Sequence, residues 1–130
     1  MAGADGVVAK TSSRPVADTV ARLVDLLGSK GVKVFAVIDQ QAEARAVGLD
    51  LRETTLVIFG NPKAGTGVMA ASPLAALDLP LKVLVWAEPG GATSVIYTAP
   101  ATLAARYGLT PETAAALEVV DGLTDALVAD

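Results

Sequence analysis

Short apolar runs and helix-period patterns alternate along this chain, and together they predict most of its elements. The most regular helical pattern follows Ser12, Ser13 and Pro15, which are suited to a helix start. Apolar residues then recur three and four positions apart, as in an amphipathic helix: Val16, Val20, Leu23, Val24 and Leu27. Gly28 and Gly31 are expected to end this helix.

Five apolar stretches have the length and composition of β-strands. They cover residues 7–11, 32–38, 51–60, 81–87 and 93–98. In the second stretch, alternation places Val32, Val34, Ala36 and Ile38 on one face. The third is polar at first and then continuously apolar, which predicts burial on both faces of its second half. The last two are joined by a Glu-Pro-Gly-Gly turn and form a hairpin.

Shorter helices are predicted in the connections. They cover residues 40–47, 66–71, 72–77, 100–107 and 110–128, the last with a bend at Gly122. The resulting order is β-α-β-(α)-β-(α)-β-β-α-α. The clustered strands and the hairpin predict an α+β fold, with a mostly antiparallel sheet of about five strands backed by helices. We expect a single domain over residues 1–130, frayed at residues 1–6.

Composition narrows the class of protein. The chain has 130 residues, 52% of them hydrophobic but only 4% aromatic, and a mean hydropathy of +0.52. No apolar run reaches the roughly 18 residues that a membrane span needs, so no membrane partner is expected. The first residues lack the pattern of a signal peptide, which predicts a cytoplasmic location. High apolarity with few charges favours a partly covered surface, and therefore a homodimer.

Charge and residue types exclude several chemistries. The net charge is −4 and no basic cluster opposes it, which argues against a nucleic-acid partner. Cysteine and histidine are absent, so disulfides, thiolate nucleophiles and histidine metal ligands are removed. Without histidine, a Ser-His-Asp triad is excluded as well. No cofactor and no metal are expected.

One stretch combines a buried strand, a tight turn, a cation and a helix start. Residues 56–59 are apolar, Gly60, Asn61 and Pro62 form the turn, and Lys63, Gly65 and Thr66 follow. Glycines let backbone N–H groups converge on an anion, and a helix N-terminus adds partial positive charge. The candidate ligand-binding residues are therefore Asn61, Lys63, Gly65 and Thr66.

A purely structural interpretation of this stretch stays open, because a tight strand-to-helix turn also requires glycine and proline for its backbone angles. A phosphate-binding Walker loop is excluded, since Thr66 stands where that motif requires lysine. Met69, on the helix that follows, is interpreted as core filling.

Three functions remain open. The preferred hypothesis is a homodimeric binding module for a small ligand, anionic in one version, or for a protein partner. The first alternative is an enzyme in which Lys63 and a carboxylate such as Glu53 perform acid–base chemistry on an anionic substrate. The second alternative is a structural module whose apolar surface meets a copy of itself. No other catalytic residue is assigned.

Three stretches resemble the bacterial family called "domain of unknown function 302". They are residues 32–39, residues 51–66 with the Phe-Gly-Asn-Pro-Lys turn, and residues 79–86 with Leu-Pro-Leu-Lys. The resemblance covers roughly residues 16–109. It implies a TATA-binding-protein-like α+β fold, with a curved antiparallel sheet, and a small cytosolic dimer of unestablished activity. The family often carries two histidines where this sequence has Gln40 and Tyr107, so a metal or haem role built on them is not expected here.

Overall fold

The computed structural model describes residues 5–130 and contains one five-stranded sheet. Its strands are β1 (Val7–Ser12), β2 (Lys33–Asp39), β3 (Thr54–Gly60), β4 (Leu81–Ala87) and β5 (Thr93–Thr98). Their spatial order is β1-β5-β4-β3-β2, and every neighbouring pair is antiparallel. The predicted fold class is confirmed. Of the segment expected to fray, residues 1–4 lie outside the described residues, and the carbonyl of Gly6 accepts hydrogen bonds from Ala99 and Thr102.

Helices occupy the connections. They are α1 (Val16–Ser29), α2 (Gln40–Ala46), α3 (Pro62–Ala71), α4 (Pro100–Tyr107), α5 (Pro111–Ala114) and α6 (Val119–Val128). Two 3₁₀ segments, Pro73–Asp78 and Ala115–Leu117, complete the chain. The 3₁₀ segment before α6 replaces the predicted bend at Gly122, which is helical. Among residues 5–130, none of these helices has both the length and the apolarity needed to cross a bilayer.

The helix α3 begins four residues earlier than the pattern predicts. The side chain of Asn61 accepts a hydrogen bond from the N–H of Lys63 at 3.0 Å, and Pro62 takes the first helical position. Both features favour a helix start, because the cap satisfies an otherwise free N–H group and proline has none to lose. Gly65 and Thr66 therefore belong to the helix rather than to a loop.

The main core lies between one face of the sheet, here called the inner face, and the helices α1 and α6. The α1 helix crosses this face from one edge strand to the other, since β1 and β2 are the two edges. Buried side chains of sheet and helices meet there: Val57, Phe59, Val83, Val85 and Val95 from the strands, and Leu23, Leu27, Leu123 and Leu127 from the helices. The opposite, outer face carries half-buried apolar residues.

The prediction that Val32, Val34, Ala36 and Ile38 share one face is wrong. Val34 lies opposite Phe59, whereas Ala36 lies opposite Ile58, and the register shifts between them. A bulge at this point inserts one extra residue, which moves all later side chains to the other face. Phe35 stands at the bulge and is 45% exposed.

Two arginines fasten the C-terminal helix to the start of the chain. Arg14 donates to the carbonyls of Leu127 and Ala129, and Arg22 donates to those of Leu127 and Ala126. The last carbonyls of a helix lack partners within it, and cations there also interact favourably with the helix dipole. These bonds fix the end of α6 against α1 and the segment that precedes it.

Candidate functional site

A cavity of about 320 Å³ lies at the end of the sheet where β3 finishes and β4 begins. Three of its wall residues, Phe59, Val68 and Leu117, are almost completely buried. Its mouth includes Phe35 and Val119, each 45% exposed. The lining is apolar apart from a few groups, and Lys30 is the charged side chain among the described residues that line it.

The cavity is built from parts of the chain that are far apart in sequence. The strand β3 supplies Phe59, the bulge of β2 supplies Phe35, and α3 supplies Val68 and Met69. A second, smaller core of Val68, Ala75, Leu103 and Leu117 fixes α3 against α4 and the 3₁₀ segments. Met69, interpreted from sequence as core filling, is half-buried and lines the cavity instead.

Two of the four residues proposed from sequence line this cavity. Asn61 and Gly65 are part of its wall, whereas Lys63 and Thr66 are exposed and are not. The side chain of Asn61 is used as the cap of α3, and the N–H of Gly65 already donates to the carbonyl of Asn61 at 2.8 Å. Anion binding by these four residues stays a prediction, since the turn pairs several of its own polar groups.

The acid–base pair considered from sequence is not brought together. Glu53 directly precedes β3, and Lys63 follows it in α3. A seven-residue strand separates them, which corresponds to roughly 20 Å at the usual rise of a strand. Both side chains are exposed. The arrangement does not allow Lys63 and Glu53 to act on the same substrate atom.

A polar cluster joins the 3₁₀ segment Pro73–Asp78 to α4. Tyr107 donates a short hydrogen bond to Oδ2 of Asp78, and Arg106 forms an ion pair with the same oxygen at 2.8 Å. The hydrogen bond from Tyr107, followed by the contact with Arg106, holds the pKa of Asp78 below its usual value, although partial burial opposes the shift. Tyr107 therefore serves as a structural donor here.

Residues 5–130 contain no group of three or more histidine, cysteine, aspartate or glutamate side chains placed to hold a metal ion. Sequence reasoning missed Lys30, Phe35 and Val119. Neither periodicity nor a motif in the sequence marks them.

Comparisons with known proteins address the family and the fold. A sequence model described as "Domain of unknown function DUF302" matches residues 8–129. A crystal structure of an uncharacterized conserved DUF302 protein from Bacillus stearothermophilus is similar, with a TM-score of 0.79, 21% identity, and coverage of 96% of this chain and 97% of that chain. At this identity the likeness shows the fold.

The curated relatives are longer proteins from Brucella. One from Brucella suis, named fluoride-specific ion channel FluC 1, is 38% identical over 104 residues, which are 80% of this chain and 41% of that protein. One from Brucella melitensis, named fluoride-specific ion channel FluC 2, is also 38% identical over 104 residues, and 38% of its length is covered. This chain thus spans about two fifths of the length of the relatives it matches.

Proposed function

This chain belongs to the DUF302 family, and we propose that it is a binding module whose cavity at the β3–α3 turn holds a small, largely apolar molecule. The observation that carries the proposal is the cavity itself, with buried apolar walls and its polar groups at the rim. An apolar pocket with a few polar groups is the usual form of a small-molecule site.

The size of the cavity sets the class of ligand. A volume of about 320 Å³ is near the lower limit of ligand pockets, which run from roughly 300 to 1,000 Å³. A ligand that buries about 250 Å² of apolar surface would gain about 6 kcal/mol before the cost of association. Because 6 kcal/mol corresponds to a Kd of only about 40 µM before that cost is subtracted, we expect affinities in the millimolar range or weaker for simple apolar compounds.

The named activity of the Brucella relatives is not part of this proposal. Those proteins are called fluoride-specific ion channels, but this chain matches only about two fifths of their length. Fluoride is nevertheless tested as a separate ligand, since the name of the relatives makes it the simplest anion to test.

A matched pair of variants tests the cavity. Ala64 lines it and is half-buried, whereas Ala70 lies exposed on the same helix and outside it. Nile red, a neutral apolar dye, should bind the parent chain and the Ala70→Phe variant with increased fluorescence. The Ala64→Phe variant should bind at least about tenfold more weakly, because the new ring fills the cavity.

Folding is checked by circular dichroism for both variants. Equal Nile red affinity in the parent and in a folded Ala64→Phe variant would contradict the proposal. Saturable stabilisation by sodium fluoride, with no Nile red binding, would favour an anion site over the apolar cavity.

Self-assembly is a second candidate function, favoured by the outer face of the sheet. Neighbouring strands carry half-buried apolar side chains on this face, and these side chains are not part of the main core that α1 and α6 cover. They are Leu56, Ile58, Leu84 and Ile96. Five strands of six or seven residues span on the order of 400 Å². A standard interface buries about 800 Å² per partner, so a second copy of the chain would bind weakly through this face alone.

Sedimentation at about 100 µM tests this candidate, since weak dimers of this size dissociate at lower concentration. The parent should sediment above the 13.1 kDa of one chain, and Leu84→Lys should return it to a monomer. Leu74→Lys is the control, because Leu74 is 70% exposed and lies outside the sheet. A parent that stays monomeric at this concentration would remove the second candidate.

A further inference from the structure

Lysines are concentrated at one end of the sheet. Because neighbouring strands are antiparallel, the start of β2, the end of β3 and the start of β4 meet at the same end. Four of the five lysines lie at these positions: Lys30 and Lys33 at β2, Lys63 after β3 and Lys82 in β4. All four are exposed. The cavity lies at this same end.

Arginines and most acids near the sheet lie elsewhere. The opposite end carries an excess of acids on the exposed turns: Asp39, Glu43, Asp50, Glu53 and Glu88, with Arg45 and Arg52. Arg14, Arg22 and Arg106 are bound to backbone carbonyls or to Asp78. A chain of net charge −4 therefore has one end where positive charge is concentrated.

Lys30, which follows α1, and Lys33, at the start of β2, lie beside the cavity. Lys30 is part of its lining. Nζ of Lys33 lies 5.0 Å from the ring centroid of Phe35, and Phe35 forms the mouth. Among residues 5–130, no acidic side chain forms an ion pair with Lys30, Lys33 or Lys63. These ammonium groups are available to a ligand.

Two acids on the segment from α5 to α6 partly offset the positive charge of these lysines. Glu112 and Glu118 lie on the segment from α5 to α6, beside α3. Both are exposed, and neither lines the cavity. Asp78 is already paired with Arg106 and Tyr107.

We propose that the cavity selects an amphipathic anion, a molecule with an apolar tail in the cavity and a carboxylate or sulfate-like head beside Lys30. The inference rests on the proposed function, because it presupposes that the cavity binds ligand. Lys30 holds the head by a charge-assisted hydrogen bond, and Lys33 adds attraction from the other side of Phe35. The apolar wall gives affinity, and the lysines determine the sign of the head group.

Calorimetric titration with decanoate, decyl sulfate and decanol tests the head group directly. The three compounds share one tail and differ in charge. Both anions should bind the parent about two- to fivefold more tightly than decanol, as expected for an ion pair with an exposed lysine. Raising the salt concentration should weaken the anions and leave decanol unchanged.

Charge variants locate the head. Lys30→Gln should lose about two- to fivefold in affinity for decanoate and nothing for decanol. Arg45→Gln is the matched control, since Arg45 is exposed at the opposite end of the sheet, and it should bind both compounds as the parent does. An equal loss in both variants would show a general charge effect and would overturn the role of Lys30.

The remaining outcomes distinguish ligand binding by the cavity from its preference for an anionic head. Equal binding of decanoate and decanol overturns the anionic head but leaves an apolar cavity that binds ligand. No binding of any of the three compounds removes both. Vesicles of phosphatidylglycerol present the same chemistry on a surface, so pelleting with them, without binding of free decanoate, would assign the lysines to a membrane surface and overturn the cavity site.

Discussion

Replacing Lys10 with methionine tests how strongly β1 holds the C-terminal helix. Nζ of Lys10 donates to Oγ1 of Thr124 at 2.6 Å and to the carbonyl of Asp121 at 3.1 Å. It also forms an ion pair with Asp125 at 2.8 Å and lies 5.3 Å from the ring centroid of Tyr97. Methionine keeps the apolar stem and removes all four polar interactions.

The expected loss in the free energy of unfolding follows from the interactions that each partner of Lys10 loses. Hydrogen bonds from a charged donor contribute about 1.5–3 kcal/mol in favourable cases, but an ion pair with a largely exposed carboxylate contributes at most about 1 kcal/mol. Asp125 is 72% exposed, and the hydroxyl of Thr124 keeps a partner in the carbonyl of Val120. No buried group is left unpaired, so Lys10→Met should lower the free energy of unfolding by about 1.5 kcal/mol.

Urea denaturation at pH 7 measures this loss, with Lys63→Met as the exposed control. Burial lowers the pKa of Lys10, but its contacts with Asp125 and Tyr97 raise it by more, so the net pKa lies above that of a free lysine. A group whose pKa is raised by folding contributes its full stabilisation at pH values below its unfolded pKa, and loses that contribution as the pH rises through its folded pKa. A measurement at pH 7 therefore captures the whole effect. A loss under about 0.5 kcal/mol, the range of ordinary surface changes, would refute the reasoning.

Two further predictions concern α3 and Asp78. Gly67→Ala should stabilise the chain by about 0.5–1 kcal/mol in thermal unfolding, because Gly67 is helical and an added Cβ meets no atom within 4 Å. Gly108→Ala, the control, should destabilise, since Gly108 has a φ of +60°. Because folding lowers the pKa of Asp78, this carboxylate stabilises the fold at pH values above its unfolded pKa. The stabilisation is lost as the pH falls through its folded pKa. Below about pH 4, Asp78→Asn should therefore lose stability less steeply than the parent.

The sheet could be predicted from sequence because its signals are local. Five apolar stretches fell within the observed strands or overlapped them, and the hairpin of β4 and β5 followed from the turn between them. The errors have local physical causes too. The cap formed by Asn61 started α3 four residues early, and the bulge at Phe35 reversed the face of the residues that follow it.

The cavity could be predicted only in part, because its walls come together through tertiary packing. The turn at residues 60–65 was identified, since glycine, asparagine and proline concentrate there. Phe35, Leu117 and Val119 lie far from it in sequence, and no periodicity connects them to β3. Anion binding by the turn itself stays a prediction, and the proposed ligand lies in the cavity beside the turn.

The cavity lies between two separate hydrophobic cores, which explains why side chains do not fill it. Phe59 belongs to the main core, whereas Val68 and Leu117 belong to the smaller core of α3, α4 and the 3₁₀ segments. Each wall is fixed by its own core, so neither can move into the space without breaking contacts behind it. Leu81 packs against both cores and is the direct link between them. On the proposed function, a bound apolar molecule would be a second link, and its affinity would depend on how far apart the two cores hold their walls.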